Sequence, residues 1–149
     1  MEEGILGDEY FMRAALAEAQ KAYEEGEVPV GAVIVSEKQI IARAFNMTEK
    51  LKDVTAHAEM LAFTSASNYL GTKYLKNCYL YVTLEPCTMC AGASYWTQID
   101  KIVIGASDQK RGFTKSGNHI LHPKTKLITG ILEGQSSKLL KKFFEERRK

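Results

Sequence analysis

No run of about 18 apolar residues occurs in this 149-residue chain, so no membrane-spanning helix is expected. Its opening stretch, MEEGILGDEY, is acidic and lacks an apolar signal-like core. A cytoplasmic location is therefore expected. Cysteine is scarce: Cys78, Cys87 and Cys90 are the only three, too few for a disulfide framework. The chain also lacks internal repeats, a linker and low-complexity stretches, so one domain over residues 1–149 is expected.

The formal net charge of +2 hides a strong asymmetry. Residues 1–100 carry 8 Lys+Arg against 14 Asp+Glu, whereas residues 101–149 carry 12 against 4. A basic final third suits a polyanionic partner, although a solvated basic face would look the same.

Apolar spacing predicts a first helix through Phe11, Ala15, Leu16, Ala19 and Tyr23, with Asp8 as its cap and Gly26 beyond its end. VPVGAVIVS and QIIARAFN read as a strand hairpin over 28–46, followed by a polar loop, MTEKLKD. Thr55 is expected to cap a second helix ending at Gly71. NCYLYVTLE reads as a third strand, stopped by Pro86, which opens a helix over CTMCAGASYWTQ. KIVIGA is a fourth strand, residues 106–125 a long loop, and KLITGIL a fifth strand. SSKLLKKFFEERRK forms the last helix. A helix joins strands three and four, so they are expected to be parallel. Strands apolar on both faces predict helices on both sides of one mixed sheet.

Two short motifs carry chemistry. In TAHAEMLA, His57 is followed two residues later by Glu59. In TLEPCTMCAG, Cys87 and Cys90 stand three apart, so both thiols project from one face of a helix's first turn. Positive charge at that helix end favours thiolates. One imidazole and two thiolates make a three-ligand site, and zinc with an open fourth position marks catalysis rather than structure. Glu59 can then face the zinc-activated water as a proton shuttle. Other readings compete: a redox Cys-x-x-Cys pair, a structural site completed by Cys78, or ligation by His119 or His122. Cys78 sits in an alternating strand and reads as a core residue.

The pattern His57-Ala-Glu59 with Pro86-Cys87-Thr-Met-Cys90 resembles the signature of zinc-dependent nucleoside and nucleobase deaminases. Within them, EVPVGAVIV, AHAE, LYVTLEPCTMCAGA, KIVIGASDQKRG and KKFFEERRK together resemble the bacterial tRNA-specific adenosine deaminase family along nearly the whole chain. The resemblance implies an α/β fold: a three-layer α/β/α cytidine-deaminase-like architecture with a five-stranded mixed sheet. It implies a homodimer with one Zn²⁺ per subunit. The implied reaction is hydrolysis of adenosine to inosine at the wobble position of a tRNA anticodon stem-loop, with a zinc-activated hydroxide attacking C6.

His57, Cys87 and Cys90 match the family's zinc ligands and Glu59 its shuttle. Asn46 matches a base-contacting amide. Asp108, Lys110 and Arg111 match a loop beside the RNA backbone. Phe144, Arg147 and Arg148 match the tail around the anticodon loop. One of Phe143 and Phe144 is expected only to pack the core. Before the last helix the family has an acidic pair where this chain has Glu133-Gly134-Gln135, which leaves the start of that helix open. The alternatives are a deaminase of a free nucleobase or nucleoside, of guanine or cytosine type, and an RNA-binding module with structural zinc.

Overall fold

The computed structural model describes residues 2–147, apart from the side chains of residues 2–6 and 118. Its elements are α1 (Glu2–Glu24), β1 (Gly31–Ser36), β2 (Gln39–Phe45), α2 (Thr48–Leu51), α3 (Ala58–Leu70), β3 (Cys78–Leu84), α4 (Thr88–Thr97), β4 (Lys101–Ala106), β5 (Lys126–Ile128) and α5 (Glu133–Arg147). The five strands form one sheet in the order β2-β1-β3-β4-β5. β1 is antiparallel to β2 and β3, whereas β3–β4 and β4–β5 are parallel. The fold is the expected α/β/α arrangement.

Alternation along the strands builds two cores. Ala32 and Ile34 of β1 face α3 and α4, packing with Ala62, Phe63, Ala66 and Ala91. Val33 and Val35 face the other way, against Met12 and Ala15 of α1. Each Val, Ile, Phe or Met among them contributes about 1.5–3 kcal/mol when fully buried. Gly31 fixes how closely α1 lies on β1, because a Cβ there would run into the Ala15 carbonyl and the Ala19 amide.

Several expectations give way. Asp8 does not cap α1, which starts earlier. Asp8 lies buried under the helix, where its carboxyl accepts the Tyr81 hydroxyl at 2.6 Å and meets Lys101 Nζ at 3.5 Å. A buried phenol needs such a partner. Thr55 does not cap α3. Its amide and hydroxyl bond Asp53 in the preceding turn, and His57 occupies the N-cap position. The loop MTEKLKD contains the turn of helix α2, and residues 106–125 contain 3-10 turns at Phe113–Ser116 and Asn118–Ile120. β5 keeps only three residues. α5 begins at Glu133, which settles the start left open by the sequence.

Candidate metal centre and substrate cavity

The site gathers at the carboxyl ends of the parallel strands β3 and β4, where α/β sheets place their ligands. His57 and Cys87 are the N-cap residues of α3 and α4, both in extended conformation and neither making a side-chain cap. That backbone turns both side chains away from their helices and toward each other. His57 Nδ1 lies 3.6 Å from Cys87 Sγ and 3.5 Å from Cys90 Sγ. A tetrahedral zinc with bonds of about 2.3 Å to sulfur and 2.0 Å to nitrogen sets the N···S separation near 3.5 Å. The donor set therefore fits zinc in both kind and spacing. It is the one potential metal-ligating group of this kind among the described residues. Cys78 is fully buried in β3, and His122 packs against the Tyr95 ring at 5.4 Å, so neither joins it.

The protonation pattern matches a site built for a cation. The Cys90 thiol, the His57 ring and the Cys90 amide hydrogen-bond the Cys87 sulfur and hold its pKa down to about 4, against the effect of burial. Cys90 is pushed up, first by its bond to Cys87 and then by burial. His57 is raised by its hydrogen bond to Cys87. Metal binding displaces protons shared in this way. Glu59, in the first turn of α3, is 4% exposed, and burial pushes it up to about 7. A carboxyl poised near neutrality can both take and give a proton.

A cavity of about 870 Å³ opens from this centre. His57, Glu59 and Cys87 line it, together with Asn46, Asp108, Lys110, Arg111 and Phe144. The structure thus brings together most of the residues expected from the sequence. Asn46 carries a second duty. Its Oδ1 accepts the Ala58 amide at 2.8 Å, supplying the cap that His57 and Thr55 do not, and its Nδ2 donates to the Val28 carbonyl at 3.1 Å. One amide hydrogen is left for a ligand. The Asp108 carboxylate accepts the Lys110 and Arg111 amides at 3.1 and 3.0 Å, folding the loop tip. Phe143 is buried, whereas Phe144 is 45% exposed at the cavity wall.

Arg147 does not line the cavity. Its guanidinium lies over the Phe143 ring at 4.8 Å and donates to the Gly26 carbonyl at 2.5 Å, where it pins the end of α5 to the turn after α1. Tyr23 reinforces this contact by donating to the Glu146 carboxylate. Arg148 lies outside the described residues.

Two buried acids in the cavity region escaped the sequence reading. Glu27 is 1% exposed and accepts the Glu49 and Lys50 amides at 3.1 and 2.9 Å, closing α2. Glu85 is 6% exposed and lines the cavity. The available signal was an acid directly beside an apolar strand, in GEVPV and VTLEP.

A family model described as the cytidine and deoxycytidylate deaminase zinc-binding region matches residues 6–106. Fold and site together define a zinc-dependent deaminase. The tRNA-specific adenosine deaminase of Aquifex aeolicus (strain VF5) is 49% identical over 96% of this chain and 97% of that protein. The tRNA-specific adenosine deaminase of Bacillus subtilis (strain 168) is 44% identical over 95% and 91%. The chain belongs to the tRNA-specific adenosine deaminase family. A solved structure from work on A-to-I editing by tRNA:A34 deaminases at the wobble position superposes with a TM-score of 0.82, at 41% identity, covering 87% of this chain and 98% of that one. Guanine deaminase from Bacillus subtilis superposes less fully, with a TM-score of 0.64 over 66% of this chain and 64% of that one, at 39% identity.

Proposed function

We propose that this chain, working as one domain over residues 1–149, hydrolyses adenosine to inosine and ammonia at the wobble position of a tRNA anticodon stem-loop. The observation that carries this reading is one cavity lined both by His57, Cys87 and Glu59 and by Lys110, Arg111 and Phe144. A single neutral base would have no need of the two cations.

His57, Cys87 and Cys90 would hold the zinc. When bound, the ion supplies Lewis acidity and makes a water nucleophilic at neutral pH. Glu59 takes a proton from the attacking water as the new C–O bond forms at C6, and delivers it to the ring nitrogen. It then carries the proton of the new C6 hydroxyl to the amino group, which leaves as ammonia as the C6–N bond breaks. Asn46 donates its free amide hydrogen to the purine edge. Such a centre reaches only a base splayed out of a stack. Phe144 offers a ring face to a neighbouring base, and Lys110 and Arg111 meet phosphates. A carboxylate oxygen of Asp108 accepts a ribose hydroxyl, which separates RNA from DNA.

The described residues contain no helix long and apolar enough to cross a membrane. A tRNA substrate would put the proposed reaction in the cytoplasm. Trp96 of α4 is 76% exposed, and we extend the reading to a homodimer using that face. A monomer in sedimentation at working concentration would refute the dimer. The reaction is tested with an anticodon stem-loop and, separately, with free adenosine, guanine and cytosine. Inosine in the stem-loop alone is expected, whereas fast turnover of free guanine or cytosine would overturn the RNA reading. Zinc content measured beside turnover separates the enzyme from an RNA-binding module with structural zinc.

A further inference from the structure

We propose that Glu85 is a positioning residue that ties the metal-binding helix to the loop 107–114, and so sets where Lys110 and Arg111 meet the substrate. The inference rests on the RNA-contact reading of that loop.

Glu85 lies between the end of β3 and Pro86-Cys87, directly before the metal-binding helix α4. Its side chain is buried, and among the described residues its hydrogen bonds all go to the loop. One oxygen accepts the Asp108 amide at 3.1 Å. The other accepts the Thr114 amide at 3.0 Å and the Thr114 hydroxyl at 2.7 Å. Both ends of the loop are thus held by one carboxylate. The backbone repeats the link: the Phe113 amide donates to the Pro86 carbonyl at 3.0 Å, and Cys87 and Gly112 form an isolated β-bridge. Gly112 is shaped for this contact. A Cβ there would run into the Glu85 carboxylate and stand 2.6 Å from the Asp108 carbonyl.

The loop tip in turn is organised by Asp108, whose carboxylate holds the Lys110 and Arg111 amides. The chain of contacts therefore runs from Cys87 through Glu85 to Asp108 and on to two exposed cations. A buried carboxylate satisfied by three donors that all belong to one loop fixes that loop's place, because releasing any of them leaves a desolvated oxygen unpaired.

The test uses the zinc-loaded protein and an anticodon stem-loop. Glu85→Gln puts an NH₂ against either the Asp108 or the Thr114 amide, two donors facing each other, so one tie is lost. Gly112→Ala strains the same tie from the loop side. Both variants are expected to keep one zinc per chain. Amide hydrogen exchange at Asp108, Lys110, Arg111 and Thr114 is expected to quicken at least about ten-fold. KM should rise about ten-fold, with kcat within about three-fold. On a Lys110→Ala/Arg111→Ala background, Glu85→Gln should raise KM by clearly less than it does in the otherwise unchanged chain, because Glu85 acts in large part through those side chains.

Unchanged exchange in the loop, loss of zinc, or a KM effect that simply adds to the double variant would each overturn the proposal. An unaltered KM for Lys110→Ala/Arg111→Ala alone would overturn the RNA-contact reading instead. Exchange in the free protein then decides by itself whether Glu85 holds the loop.

Discussion

The metal end and the C-terminal end of this molecule use their residues in opposite ways. At the metal end, each chemistry-bearing residue sits at a backbone position that dictates its aim: His57 and Cys87 are N-caps, with Glu59 and Cys90 in the first turns that follow. At the C-terminal end, neighbouring residues of one type part company. Phe143 is buried beneath Tyr23 and Arg147, while Phe144 faces the cavity. Reactive geometry is carried by helix starts, where few conformations are possible. In the proposed function recognition falls to a helix face, where one step along the chain turns a side chain by about 100° and changes its surroundings.

The comparison breaks first at Glu59. Glu59→Ala should lower kcat about 10³-fold, equivalent to about 4 kcal/mol of barrier, while zinc content stays at one per chain. An active variant would remove the shuttle from the metal end. Stripping the metal with a chelator should abolish turnover, and added zinc should restore it. The C-terminal pair is sharpened by two truncations. Phe143→Ala should cost about 3 kcal/mol of stability in denaturant unfolding, with RNA affinity per folded molecule little changed. Phe144→Ala should leave the unfolding midpoint nearly fixed and weaken stem-loop binding by about 1–2 kcal/mol in a titration. If the two variants behaved alike, the division between them would fail. The smallest effect is expected from Arg147→Ala: below about 1 kcal/mol of stability, because the clamp is exposed, and no change in the salt dependence of RNA binding. A shallower salt slope would return Arg147 to the RNA-binding surface.

Legibility followed the same divide. His57, Cys87 and Cys90 could be read because metal ligands must have particular chemistry and spacing, and both motifs lie at predicted helix starts. The strand order was less accessible, although the strands themselves were readable from their Val and Ile content. Asn46 was read as a base contact, but its main visible bonds cap α3 and hold Val28. No local pattern reveals that a strand-end amide closes a helix twelve residues later. Asp8 failed for the reverse reason. Its local pattern fits a cap, but the nearby Tyr81 hydroxyl and Lys101 ammonium claimed it. Glu27 and Glu85 went unread because their donors are mostly backbone amides at distant positions, and every residue but proline carries one.

Sequence alone determined the donor set and its chemistry, since imidazole, thiolate and carboxylate are properties of residue type, and helix register follows from spacing. Tertiary structure decided which residues share the cavity. It separated Phe144 from Phe143, turned Arg147 into a clamp, and joined Glu85 to a loop more than twenty residues away. These outcomes depend on which buried polar groups lack partners once the sheet closes, and that is settled only when distant segments meet.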